Sequence, residues 1–150
     1  MKLLITSDIH GNEEKLRAII EQHHDVTYHL NAGDMCLNEK ILEKYQVITV
    51  KGNNDFGSSQ PLMRVLDFDG LKILLTHGHQ EHVKFSLERL KLKAKLFEVN
   101  MVIYGHTHQR FMMDIGNVIF LNPGALGDHH NSYAIYENGH ITFHQLNHGK

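Results

Sequence analysis

The sequence predicts an α/β fold in which two sheets pack face to face with helices outside. Three observations carry that expectation. The first third of the chain alternates short apolar runs with helical spacing in the order βαβαβ. The second half is punctuated by Asp69-Gly70, Gly116-Asn117 and Asn138-Gly139, which are turn pairs between apolar runs and read as hairpins. No internal repeat, low-complexity segment or linker interrupts the 150 residues, so 1–150 reads as one domain with a sizeable core.

Leu3-Leu4-Ile5-Thr6 is β-prone and breaks at Ser7-Asp8-Ile9-His10-Gly11-Asn12. Asn12 suits a helix N-cap, Glu13 and Glu14 a first turn, and Leu16, Ile19, Ile20 and His23 recur on one helical face. Val26 to Leu30 reads as a second strand, ending at Asn31-Ala32-Gly33-Asp34. A helical stretch from Glu39 to Tyr45 leads to strand Val47-Ile48-Thr49-Val50, which ends at Lys51-Gly52-Asn53-Asn54-Asp55. Parallel strands joined by crossover helices would put these three loops on one edge of one sheet. That edge is where open α/β sheets bind their ligands. Val65–Phe68 and Lys72–Leu75 flank the next turn, and the second run ends in Thr76-His77-Gly78-His79. A helix is expected from about Val83 to Phe97, with Leu87, Leu90, Ala94 and Phe97 on one face. Its Lys84, Arg89, Lys91, Lys93 and Lys95 read as a solvated outer face. Met101-Val102-Ile103-Tyr104 is then a buried strand running into Gly105-His106-Thr107-His108, with Gly105 expected to permit a sharp turn. In extended backbone His106 and His108 would share one face.

Composition narrows the chemistry. There are 14 histidines and a single cysteine, Cys36, which favours imidazole and carboxylate metal ligands over thiolate zinc. One cysteine allows no intrachain disulfide, as expected of a cytoplasmic protein. The net charge of −2 and the absence of tryptophan argue against a polymeric nucleic acid as partner. The first residues are too short and too soon polar for a signal peptide or membrane span, so a soluble cytoplasmic chain without a membrane partner is expected.

Five loops directly after apolar strands now carry metal-ligand side chains: Asp8 and His10; Asp34; Asn53; His77; His106 and His108. Either Asp-x-His or His-x-His is common alone; the repetition after five strands is not. Mixed carboxylate, amide and imidazole donors suit Mn²⁺, Fe or Zn²⁺. Their number exceeds what one ion with an open site needs, which points to two. Two ions ~3.5–4 Å apart form a clamp for in-line displacement at phosphorus.

These motifs, together with Gly52-Asn53-x-Asp55, resemble those of the calcineurin-like metallophosphoesterase superfamily, in the family's order and over nearly the whole chain. The compact chain is most similar to the small bacterial and archaeal phosphodiesterase branch. The resemblance implies a four-layer α/β/β/α sandwich of two mixed sheets. It also implies that Asp8, His10, Asp34 and His108 hold one metal, while Asp34, Asn53, His77 and His106 hold the other, with Asp34 bridging. Two divalent ions are expected, Mn²⁺ first and Fe or Zn²⁺ as alternatives, with a bridging hydroxide attacking phosphorus and no covalent phospho-enzyme.

Within that frame Asp34, Asn53, Asn54 and Asp55 form the expected catalytic group. Many relatives carry His where this chain has Asn54, and an amide gives no proton at ordinary pH. Esters with acidic leaving groups should therefore react best, with Asn54 left to hydrogen-bond phosphate. Asp55 and His79 are expected to orient ligands or line the rim. Asn122-Pro123-Gly124 resembles a turn near the family's site, and Asp128-His129-His130, where relatives often place Arg, reads either as substrate rim or as plain surface loop. Cys36 reads as a buried small hydrophobe. His23, His24, His29, His140, His144 and His148 read as surface or packing residues. A small phosphoester is the expected substrate; monoesters and a homo-oligomer stay open. The rival function is a metal-binding interaction scaffold with little or no catalysis, which the complete set of ligand positions disfavours.

Overall fold

A computed structural model describes residues 1–147, so His148 lies outside the described residues. Elements are numbered along the chain. The first sheet holds β1 (Lys2–Thr6), β2 (Tyr28–Asn31) and β3 (Val47–Thr49) in parallel, with antiparallel β9 (Ser132–Glu137) and β10 (His140–Gln145), in spatial order β10-β9-β1-β2-β3. The second holds β4 (Met63–Phe68), β5 (Leu71–Thr76), β6 (Met101–Ile103), β7 (Phe111–Ile115) and β8 (Val118–Asn122), in order β4-β5-β6-β8-β7. Helices α1 (Glu13–Gln22), α2 (Glu39–Lys44) and α3 (Glu88–Leu96) complete the described elements. Both sheets are mixed: β5, β6 and β8 run parallel, so the second half is less antiparallel than its turn signals suggest.

Three apolar clusters define the layers. Leu3, Ile5 and Leu30 of the first sheet meet Ile73, Leu75, Met101, Ile103 and Leu121 of the second, because alternate side chains of a strand face opposite ways. Leu4 and Ile135 on the far face of the first sheet pack against Leu16 and Ile19 of α1 and Leu42 of α2. Leu74, Val102 and Phe120 on the far face of the second sheet pack against Leu90 and Ala94 of α3. The result is an α/β/β/α sandwich.

Most expected elements form where the pattern places them. Asn12 caps α1, its side chain accepting from Lys15 N–H at 3.1 Å, and all three hairpins turn at the expected pairs. Several ends shift by a residue or two, and two elements start later than expected. The second strand starts at Tyr28, with Thr27 N–H already bonded to the Lys2 carbonyl at its entrance. The third helix starts at Glu88, five residues later than Val83. The amides of Glu81 and Val83 both bond back to the Gly78 carbonyl, and this local folding replaces the first expected helical turn.

Candidate metal centre

The carboxyl ends of β1, β2 and β3 deliver Asp8 and His10, Asp34, and the Asn53–Asp55 loop to one edge, and β5 and β6 deliver His77, His106 and His108 from the facing sheet. Asp8, Asp34 and His77 are buried. The His10 and His108 Nε2 atoms lie 3.3 and 3.2 Å from Asp8 Oδ1. His77 Nε2 lies 3.3 Å from Asp34 Oδ2, and 3.9 Å from Asp8 Oδ1. Asp34 Oδ2 is also 3.6 Å from His10 Nε2, so this one oxygen stands between imidazoles of the two sheets. Asp8-His10-His108 and Asp8-Asp34-His77 are two donor sets compact enough for an ion.

The backbone makes this convergence by departing from strand geometry. Asp8, His10, Asp34, His106 and His108 all have left-handed φ, between 52° and 70°. Such residues are strained and concentrate at functional sites. His106 and His108 therefore do not share a face as an extended pair would. The His108 ring lies 5.0 Å from His10, and the His106 ring lies 5.0 Å from His77. Gly105 is needed for approach rather than for turning: its φ is ordinary, and a Cβ there would stand 1.9 Å from Ser7 Oγ and 2.8 Å from Asp8 Oδ2.

Hydrogen bonds fix the carboxylates. Ser7 Oγ–H and His106 N–H donate to Asp8 Oδ2 at 2.5 and 3.2 Å. Asn54 donates twice to Asp34, from its backbone N–H to Oδ1 at 2.8 Å and from its amide to Oδ2 at 2.9 Å. It is thus spent on holding Asp34 rather than free for phosphate. Asp55 accepts from the backbone of Asp34, Gly52 and Cys36 at 2.7–2.8 Å and positions the loops without reaching the donor sets. Asn53 is exposed at the end of the same loop. His77 Nδ1–H donates to the Ala32 carbonyl at 2.7 Å, which turns the Nε2 lone pair toward the carboxylates.

The charges follow from this packing. Burial works against ionising Asp8, but His10, His108 and His77 hold its carboxyl well below the usual range. Asp34 is lowered too: burial opposes it, and His77 and the Asn54 donors prevail. The His10 imidazole is raised by Asp8, and His77 is raised by Asp34 and Asp8 in spite of its burial. His106 is pushed down to about 4 by burial, then by the charges of His77 and Lys84. Asp8 Oδ1 and His77 Nε2 are buried and make no well-directed hydrogen bond, although imidazoles and carboxylates crowd round them. A cation between these atoms would satisfy both, and the mixed carboxylate and imidazole set fits a metal ion.

Several supports were not legible as site residues. Thr6, Asn31 and Thr49 end β1, β2 and β3 in register. Asn31 donates to Thr6 Oγ1 and accepts from Thr49 Oγ1–H and Gly33 N–H, tying the three loops together beneath the centre. The only sequence signal was a polar residue closing each apolar run. His29, buried, contacts Thr6 Oγ1 at 2.6 Å and extends this row. Asn122, which ends β8, donates to the Gly105 carbonyl and to Thr107 Oγ1, so it pins the His106–His108 loop. Asp128 lies behind His108, 3.8 Å from Nδ1 and too far for a hydrogen bond. His129 and His130 are exposed. Cys36 is exposed rather than buried, because the left-handed backbone at residue 36 (φ 55°) turns it outward. Partial burial of its thiol and the Asp55 charge still push it up to about 11, so it is a poor nucleophile.

A sandwich of two mixed sheets here pools buried carboxylates and imidazoles at its facing edges, a donor set that suits divalent metal ions. The calcineurin-like phosphoesterase superfamily domain model matches residues 1–139, and the chain belongs to that superfamily. It is 32% identical over 129 residues to the probable metallophosphoesterase YsnB of Bacillus subtilis, covering 84% of this chain and 75% of that one. It is 30% identical over 146 residues to the phosphodiesterase MJ0936 of Methanocaldococcus jannaschii, covering 83% of each. Among solved structures, a predicted phosphoesterase of Streptococcus pneumoniae superposes with a TM-score of 0.86 at 26% identity, covering 99% of this chain and 93% of that one.

Proposed function

We propose that the protein is a dinuclear metal-dependent phosphodiesterase acting on a small phosphoester. The observation that carries this is the pair of buried donor atoms without a well-directed hydrogen bond, Asp8 Oδ1 and His77 Nε2, at the junction of two donor sets from opposite sheets. Asp8, His10, Asp34 and His108 would hold one ion, and Asp34, Asn53, His77 and His106 the other, with Mn²⁺ the first candidate. When bound, such ions supply Lewis acidity, lowering the pKa of water and neutralising charge that grows on phosphate oxygens.

The chain's own residues set the rest. His77 and Asn54 hold the Asp34 carboxylate ionised and Asp55 fixes its backbone, so it presents an oxygen to both sheets. No imidazole occupies position 54 to protonate a leaving group, so aryl diesters should outpace alkyl diesters. No helix among the described residues is long and apolar enough to cross a membrane, and a cytoplasmic setting is part of the proposal.

The test is hydrolysis of bis(p-nitrophenyl) phosphate and p-nitrophenyl phosphate by metal-stripped protein given Mn²⁺, Zn²⁺, Mg²⁺ or Fe²⁺ separately. Diester turnover that needs metal, exceeds monoester turnover and disappears in Asp34→Asn supports the reading. Stoichiometric metal binding without turnover of either ester would instead leave an interaction scaffold.

A further inference from the structure

The loop that follows β8 is fastened beside the metal centre by a buried lysine. Lys15, on α1, is 8% exposed, and its Nζ donates to the carbonyls of Leu126 and Asp128 at 3.0 and 2.9 Å. Burying an ammonium is costly, and these two bonds, to residues 111 and 113 positions further along the chain, are what compensate it. The same loop is bonded to the turn that carries Asp8 and His10. Leu126 N–H donates to the Ser7 carbonyl at 3.0 Å, and Gly127 N–H to the Asp8 carbonyl at 2.9 Å. The two backbones run so close that a Cβ at residue 127 would stand 2.4 Å from the Ile9 carbonyl oxygen. Residues 126–128 are thus held against Asp8 and His10 by backbone on one side and by Lys15 on the other.

Asp128 is the side chain that this arrangement places. Its Oδ1 accepts from His130 N–H at 2.8 Å, which leaves Oδ2 facing two rings, His130 Nδ1 at 3.5 Å and His108 Nδ1 at 3.8 Å. The His130 side chain is 59% exposed and can turn to water. His108 has a narrower choice. Its Nε2 faces Asp8 Oδ1 at 3.2 Å, so an ion held there takes the Nε2 lone pair and leaves the ring proton on Nδ1. Among the described residues no hydrogen bond reaches that Nδ1, and Asp128 is the carboxylate in front of it. Metal-ligating histidines keep their aim by giving the second N–H to a carboxylate or carbonyl, as His77 gives its own to Ala32.

We propose that Asp128 takes the Nδ1–H of His108 and aims its ring at the ion shared with Asp8 and His10, and that Lys15 is the strut that keeps Asp128 within reach. Closing the pair to an ordinary distance of ~2.9 Å needs a movement of about 1 Å. Both are positioning residues, and their role rests on the metal-centre reading above.

The experiment titrates the metal-stripped full chain with Mn²⁺ by calorimetry, a readout that needs no turnover. The ion in question is the one that His10→Ala weakens. Asp128→Ala should weaken that ion about tenfold and leave the other nearly unchanged. Asp128→Asn should lose less, because an amide oxygen still accepts a hydrogen bond, though without the charge. Lys15→Met should weaken the same ion, and Lys15→Arg, which can still donate to both carbonyls, should restore it. If Asp128→Ala instead weakens both ions alike and lowers the urea midpoint of the metal-free chain, the loop is merely structural and the positioning role is overturned. Unchanged affinities in Asp128→Ala and Lys15→Met overturn this proposal and leave the metal-centre reading standing, whereas a wild type that binds no ion overturns both.

Discussion

On the first-sheet side of the centre the donors are mostly carboxylates, and backbone amides hold their surroundings. Asp34 takes two bonds from Asn54, while Asp55 gathers the amides of residues 34, 36 and 52. The polar row Thr6-Asn31-Thr49 fixes the strand ends below. The second-sheet side supplies imidazoles, and what is tied there is mainly the main chain. Asn122 pins the Gly105–Thr107 loop, and among the described residues His77 is the one of the three candidate ligand rings that bonds to a backbone carbonyl. One side is a preformed anionic cradle, and the other a set of neutral or chargeable rings brought to it. The charged, desolvated half needs the denser hydrogen bonding, because an ionised carboxylate taken out of water is far more costly than an imidazole that can shed its proton.

This asymmetry can be broken in graded steps. The largest effect belongs to Asp34→Ala, which removes the oxygen shared between His10 and His77. Both ions and all diester turnover should be lost, a deficit beyond the roughly 100-fold typical of removing a supporting partner. His106→Ala, on the other side, should weaken one ion and leave the other measurable by metal titration. Equal losses from the two would erase the distinction.

Next comes Asp55→Asn, which leaves three backbone amides competing for a single acceptor oxygen. We expect activity and metal affinity to fall about 10- to 100-fold, with a lower urea midpoint. Asn122→Ala, which frees the imidazole loop and one bond to the Gly124 amide, should lie at the low end of that range and shift the midpoint less.

The smallest effect is on the pH dependence of stability. Burial pushes His29 down to about 3, so between that value and the ordinary value of 6.5 the unfolded chain binds a proton that the folded chain refuses. Stability is therefore undiminished by this group above pH 6.5 and is lost as pH falls toward 3, by up to a few kcal/mol. His29→Gln should flatten that part of the urea-derived stability curve; an unchanged slope would show that His29 is not held neutral.

How much of this was legible in the sequence follows from range. Asn12, Asp69-Gly70 and Asn138-Gly139 act through neighbours a few residues away, so pattern alone located α1 and the hairpins. The donor residues were legible because each directly follows an apolar strand, and order along the chain then carried the family resemblance. Their arrangement was not. The left-handed turns at Asp8 and His106, and the contact that reserves position 105 for glycine, exist only once β1 and β6 face each other across the sandwich. The late start of α3 has a local origin that the spacing of Val83 and Leu87 hides. The amides of Glu81 and Val83 turn back to the Gly78 carbonyl, and the Glu81 side chain ties to Thr76 and Lys93 on either side of the segment. Cys36 was misplaced because neither a left-handed backbone at residue 36 nor the loop around it has a local signal.

In the proposed centre the two sheets jointly hold two ions through Asp34. The decisive measurement is Mn²⁺ bound per chain after stripping and reloading, with low-temperature electron paramagnetic resonance on the same sample. Two ions with an exchange-coupled signal are expected, falling to at most one uncoupled ion in His108→Ala. One ion in the wild type, or two without coupling, would contradict a shared centre between the sheets.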